Sequence, residues 1–394
     1  MKYIFLVGDG MADEPLPQID NRTPLEVAEI NNMQNLAKKG IVGMCRTIPE
    51  GMPPGSDVAN LSLLGINPAE YYTGRGPLEA ASIGIKLGRD DCAFRCNLVN
   101  IQDGRMNDYS AGHISTEEAD EIITVLNKEL ADDRVHFYTG IDYRHICVIK
   151  GRFHNLKCTP PHDITDRNID QYLPAVEGKK RVRSLMKRSN RVIEETQINV
   201  RRIKEGKLPA TQIWLWGQGY KPQLPDFHDR FGVYGSVITA VDLIRGIGML
   251  TGLDPVQVEG ATGFVDTNYE GKADEGVRSL KEKDFVFIHV EAPDEAGHKG
   301  DAELKIRAIE DLDRRLLKRI LSEMNEDYRI LVMPDHPTPV SIKTHSKTPV
   351  PFILYGKGIK PNKVSVYSEK EAGKSKIFIE KGHEIINLLF NPVK

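Results

Sequence analysis

Asp9, Asp294, His298, Asp335, His336 and His345 have side chains that bind divalent metal ions, and each lies beside a stretch that reads as a strand. Asp294 and His298 are four residues apart, so a helical turn would set both on one face. Three carboxylates and three imidazoles make mixed oxygen and nitrogen sites, which suit Mn2+ or Zn2+ rather than an all-oxygen Ca2+ cage. Six ligands exceed what one catalytic ion with an open position needs, and they suit two ions about 4 Å apart.

Two such ions polarise a phosphoryl group and lower the pKa of a bound hydroxyl. The hydroxyl that stands out is Ser56, in Pro49-Glu-Gly-Met-Pro-Pro-Gly-Ser56-Asp-Val-Ala-Asn-Leu-Ser-Leu-Leu-Gly65. A Pro/Gly-rich loop runs there into a helical pattern of Val58, Leu61 and Leu64. Ser56 is therefore the expected N-cap, beside free backbone N–H groups and the positive end of the helix dipole. A serine at that place is most often only a cap. Next to two metal ions it is also a nucleophile that needs no histidine base, and the chemistry becomes phosphoryl transfer through a phosphoserine.

The elements that must position these residues alternate between strands and helices. Residues 3–7 form an apolar run ending in Gly8-Asp9-Gly10, and Phe285–Val290 reads as a buried strand ahead of Pro293 and Asp294. Residues 41–48, 329–333 and 351–355 are further strands; 236–250 reads as a helix, and Asp301 caps a long amphipathic one. Alternation of this kind predicts a mostly parallel α/β sheet flanked by helices, whose carboxyl ends share one edge.

From about residue 90 the texture changes. Residues 93–101 and 106–110 look like a hairpin. Ser115-Thr-Glu-Glu118 is a capping box opening a helix, and 135–138 and 145–150 are strands. This unit reads as an inserted α+β domain over 91–204, with the core in 1–90 and 205–394. His113, Arg144 and Arg202 in the insert, and Arg75 in the glycine-flanked loop before it, are candidates for gripping a substrate carboxylate or phosphate.

Charged residues make up 28% of the 394-residue chain and the net charge is −3, so nothing suggests a nucleic-acid surface. A small phosphorylated substrate fits this balance. The five cysteines are odd in number and scattered, which reads as ordinary thiols in a reducing compartment. The opening apolar run is too short for a signal peptide and no later run is long enough to span a membrane, so the expected location is the cytoplasm. The oligomeric state is open.

Seven stretches together resemble the alkaline phosphatase superfamily, and within it the cofactor-independent phosphoglycerate mutases of archaeal type. They are Gly8-Asp-Gly10, Pro54-Gly-Ser56-Asp, Arg75-Gly, Ala111-Gly-His113-Ile-Ser-Thr-Glu-Glu, Asp294-Glu-Ala-Gly-His298, Asp335-His336, and His345 ahead of Pro349-Val-Pro. The resemblance implies an alkaline phosphatase-like core with a cap domain, and interconversion of 2- and 3-phosphoglycerate with Ser56 as nucleophile. It places one ion (Mn2+, with Zn2+ or Mg2+ as alternatives) on Asp9, Ser56, Asp335 and His336. The other would lie on Asp294, His298 and His345. A related branch proposed to phosphorylate homoserine shares this core, so a homoserine kinase-like phosphotransferase or a phosphatase is the alternative.

Overall fold

The computed structural model describes residues 1–153, 155–176 and 179–391. They form two compact units, Met1–Tyr72 with Leu224–Lys394, and Thr73–Gln223. In chain order the strands are β1 (Lys2–Gly8), β2 (Ile41–Cys45), β3 (Asp91–Gln102), β4 (Arg105–Asp108), β5 (Val135–Ile141), β6 (Arg144–Lys150) and β7 (Gln212–Tyr220). They continue as β8 (Gly235–Ile238), β9 (Asp254–Val256), β10 (Phe285–Val290), β11 (Tyr328–Met333), β12 (Val350–Gly356) and β13 (Phe378–Ile379). No helix among the described residues is long and apolar enough to cross a membrane.

The first unit is α/β, built on an eight-stranded sheet in the order β13-β2-β12-β11-β1-β10-β8-β9. β1 lies in the middle, parallel to β10 on one side and β11 on the other. Ile4 to Val7 and the whole of β10 are buried, as expected of strands covered on both faces, and Phe5 meets Phe287 edge-on at 5.2 Å. Gly8 pairs with Val290, and Val7 with Met333, so the three strands end level. The chain segments that follow them therefore emerge at one edge.

One strand, β12, breaks the parallel pattern in a way that serves that edge. β12 runs antiparallel to β11, and β2 antiparallel to β12. The start of β12 consequently lies beside the end of β11, so the loop carrying His345 reaches the common edge by preceding its strand. β2 recovers the direction of β1, which brings the 46–55 loop and Ser56 there as well. The 236–250 stretch, expected to be one helix, is β8 followed by a helix at Asp242–Leu250. Gly235 to Ile238 is a short buried run that gains a full set of ladder partners beside β10.

The second unit is a separate α+β body around a five-stranded sheet, in which β3 pairs with β4, β6 and β7, and β6 with β5. Its helix Thr116–Leu130 begins at the expected capping box, Ser115 Oγ accepting from the Glu118 N–H while the Glu118 carboxylate accepts from the Ser115 N–H. The unit extends beyond 91–204 at both ends. The buried Ile213-Trp-Leu-Trp216 run, within the 205–394 stretch expected to belong to the core, is β7, and it pairs with β3 over Cys92 to Val99. The helix Arg75–Ser82 belongs to the same unit: a Cβ on Gly76 would lie 2.4 Å from the Ala93 carbonyl, and this contact admits only glycine.

Two buried titratable groups in these units are testable. Lys305 is fully buried and its ammonium donates to Asp13 Oδ2 at 2.7 Å and to the Ala12 and Thr338 carbonyls. Lys305→Met strands the Asp13 carboxylate in the core and should cost about 3–5 kcal/mol in denaturant unfolding. In the second unit, burial and then the Arg95 charge push the His145 imidazole down to about 3. The unfolded chain takes up that proton near pH 6.5, so the unfolded state binds more protons below it. Stability should fall as pH drops from about 6.5 towards 3, and a pH series of thermal melts should show a shallower fall in His145→Gln.

Candidate metal centre

Asp9 follows β1 directly and its N–H continues the ladder to the Val290 carbonyl at 2.9 Å. Asp335 and His336 follow β11, and Asp294 and His298 lie one turn apart on the helix Ala292–Lys299 that follows β10. The level strand ends bring all of these to one place, where Asp9, Asp335 and His336 are wholly buried. Glycine is required at position 10: its φ is +61°, and a Cβ would lie 2.6 Å from both Asp294 Oδ1 and Thr338 Oγ1.

The donor atoms converge in two neighbouring groups. In one, His336 Nε2 is 3.4 Å from Asp9 Oδ1, 3.5 Å from Asp335 Oδ2 and 3.1 Å from the Ser56 hydroxyl. In the other, His298 Nε2 is 3.2 Å from Asp294 Oδ2 and 3.0 Å from His345 Nε2, while His345 Nε2 is 3.5 Å from Asp294 Oδ1. His298 turns its Nδ1 to the Lys343 carbonyl at 3.1 Å, which leaves Nε2 for a ligand. Ser56 is the first residue of the helix Ser56–Leu63 rather than its cap; Gly55 takes the cap position.

The electrostatics are those of a site built for cations. Burial, then the charges of Asp335 and Asp294, raise the Asp9 carboxyl well above its usual range. Asp9 Oδ1 is buried with no hydrogen-bond partner among the described residues, and two imidazole nitrogens face each other at 3.0 Å. A dry pocket of carboxylates with an orphaned oxygen is costly by itself and is relieved by a divalent ion. Around His298, burial opposes protonation, but the Asp294 carboxylate outweighs it and lifts the imidazole to about 9. Among the described residues three ligand groupings are possible: Asp294 with His298 and His345, Asp9 with Asp294 and His336, and Asp9 with His289 and Asp335.

Three residues of this site were not singled out from sequence. His289 points its Nε2 at Asp9 Oδ2 from 3.0 Å, and its signal was a histidine inside an otherwise apolar strand. Asn60, one helical turn after Ser56, donates to the Ser56 carbonyl at 2.9 Å and to Asp335 Oδ2 at 2.8 Å. Thr338 donates its hydroxyl to Asp294 Oδ1.

The candidate substrate residues lie in the second unit and fare differently. Arg75 forms an ion pair with Glu79 at 2.6 Å, and the buried Arg95, missed in the sequence, shares that carboxylate while lying 4.9 Å over the Trp216 ring. Burial pushes the Glu79 carboxyl up, but Arg95, Arg75 and Arg144 pull it below its ordinary value. Arg144 is half-exposed and lies over Tyr143, and His113 is exposed on a turn with φ +51°. Arg202 does not fit a substrate role. Its guanidinium is buried and committed to Glu118 and to the Ala111 and Leu208 carbonyls, so it braces the unit from inside.

Residues 37–199 match the family described as 2,3-bisphosphoglycerate-independent phosphoglycerate mutase. A protein of that name from Methanosarcina acetivorans is 48% identical over 394 residues, 99% of each chain. One from Methanothermobacter thermautotrophicus, named as mutase 2, is 49% identical over 100% of this chain and 98% of its own. Among solved structures, a Pyrococcus horikoshii protein superposes with a TM-score of 0.85 at 30% identity, covering 100% of this chain and 98% of its own. The cofactor-independent phosphoglycerate mutase of Thermoplasma acidophilum does so with a TM-score of 0.65 at 26% identity, over 99% of both chains. With relatives of this identity aligned from end to end, the chain belongs to the 2,3-bisphosphoglycerate-independent phosphoglycerate mutase family.

Proposed function

We propose that this chain interconverts 2- and 3-phosphoglycerate by passing the phosphoryl group through Ser56 beside two divalent ions. One observation carries the reading: the Ser56 hydroxyl lies 3.1 Å from His336 Nε2, the nitrogen on which Asp9 and Asp335 converge. Asp9, Ser56, Asp335 and His336 would hold one ion, and Asp294, His298 and His345 the other. The mixed donor set suits Mn2+, with Zn2+ or Mg2+ as alternatives. When bound, such ions neutralise phosphoryl oxygens and lower the pKa of a hydroxyl beside them.

Ser56 Oγ gives up its proton and forms its bond to phosphorus as the bond from phosphorus to the glycerate oxygen breaks. The glycerate oxygen leaves with the electron pair and takes up a proton. In the return step the other glycerate hydroxyl loses its proton and bonds to phosphorus, and the Ser56 oxygen leaves with the electron pair and recovers a proton. Asn60 holds the first turn of the Ser56 helix against Asp335, so the nucleophile keeps its direction through both steps.

In this reading the first unit is a core of alkaline phosphatase type, and Thr73–Gln223 acts as the cap that supplies basic groups for the substrate. Arg75 and Arg144, with Arg95 beside them, are suited to a carboxylate or phosphate, and His113 is a further candidate. All five cysteines are free thiols, in keeping with a reducing cytoplasm. Homoserine as the acceptor is not favoured, since the full-length relatives carry mutase names.

Ser56→Ala should lower turnover of 3-phosphoglycerate, measured by coupling to enolase, more than about a thousand-fold, with Mn2+ binding largely retained. Substantial residual turnover would remove Ser56 as the nucleophile. Stripping the protein with a chelator should abolish activity and lower its melting temperature, and adding Mn2+ back should restore both. Full activity in metal-free buffer would overturn the metal assignment.

A further inference from the structure

We propose, on the reading that this cluster holds divalent ions, that Thr338 is a positioning residue whose single hydroxyl aims two ligands at once, Asp294 and His336. Thr338 is fully buried. Its Oγ1 contacts Asp294 Oδ1 and lies 3.3 Å from His336 Nδ1. A hydroxyl has one proton to donate and lone pairs with which to accept. An ionised carboxylate can only accept, so the Thr338 proton is committed to Asp294 Oδ1. The His336 contact must then run the other way, with Nδ1–H donating to Thr338 Oγ1.

Both consequences concern which atom faces an ion. Asp294 spends one lone pair of Oδ1 on the hydroxyl, which fixes the rotation of the carboxylate and turns Oδ2, the oxygen 3.2 Å from His298 Nε2, towards the ligand group. His336 carries its proton on Nδ1, so the lone pair is on Nε2, the nitrogen 3.1 Å from the Ser56 hydroxyl. One residue thus sets the orientation of a ligand in each of the two groups.

Thr338 is itself held from several sides. Lys305 Nζ donates to its carbonyl at 2.9 Å and to the Ala12 carbonyl at 3.0 Å, which ties the β11 loop to the β1 loop. The third proton of the ammonium goes to Asp13, so the lysine has none left over. Glycines leave the room: a Cβ on Gly297 would lie 2.4 Å from the Thr338 carbonyl, and one on Gly10 would meet its hydroxyl. These contacts hold the Thr338 backbone where its hydroxyl reaches both partners.

The test compares side chains that differ in the hydroxyl alone. Thr338→Val keeps the branched shape and removes the donor, Thr338→Ser keeps the donor, and Thr338→Ala pairs with Ser if Val disturbs folding. Mn2+ affinity of the metal-free proteins is measured by titration with detection of free Mn2+ by electron paramagnetic resonance, with thermal melts of the same samples. We expect Val and Ala to weaken at least one site about 10–100-fold, Ser to stay within about three-fold, and the metal-free melting temperatures to remain grouped. Wild-type affinity in both Val and Ala, or an equal loss in Ser, overturns the role of Thr338 and leaves the metal reading standing. If the unsubstituted protein takes up no Mn2+, the metal reading fails and this inference with it.

Discussion

The candidate metal centre depends on the parallel pairing of β1 between β10 and β11. Because Gly8, Val290 and Met333 end level, Asp9, the Asp294 helix and the Asp335-His336 pair are delivered to one edge without long excursions of chain. Like-charged carboxylates are forced together there, away from water, and the surrounding chain answers them with donors. Asp335 accepts from the Gly10 and His336 N–H groups and from Asn60, and Asp294 accepts from Thr338. Asp9 Oδ1 has no donor among the described residues, and it lies 3.4 Å from His336 Nε2.

Strand direction does as much as strand order. If β12 ran parallel to β11, the loop before it would emerge at the opposite edge and His345 would be far from Asp294. Reversal of β12 brings His345 across, and the second reversal at β2 returns Ser56 to the same side. A serine on a first helical turn, a histidine on a loop and an aspartate after a strand are ordinary features. Their chemistry comes from the sheet that gathers them.

The second unit shows the same residue type in opposite roles. Arg202 and Arg95 are both buried, yet Arg202 has its donors committed to Glu118 and two carbonyls, while Arg95 shares Glu79 with Arg75. Nothing in the local sequence around either arginine separates these cases. The difference lies in which partners the fold supplies, and an arginine whose donors are all satisfied by its own chain cannot also fork a substrate.

Periodicity and capping chemistry act over a few residues, so the apolar runs of β1 and β10, the Ser115 box and the Asp294–His298 spacing were legible in the sequence. The α/β class followed from their alternation, and the candidate ligands from their types at strand ends. Strand direction, the membership of β7 and the break at 236–250 were not legible, because each is decided by pairing between segments distant in the chain. β7 is as apolar as a core strand and joins β3 through ladder bonds that its own residues do not announce. His289, Asn60 and Thr338 follow the same logic. Local sequence determined which residues could do chemistry at this site, and only the tertiary structure decided which atoms of them face one another, since that depends on contacts such as His298–His345 and Ser56–His336, which span 47 and 280 residues of chain.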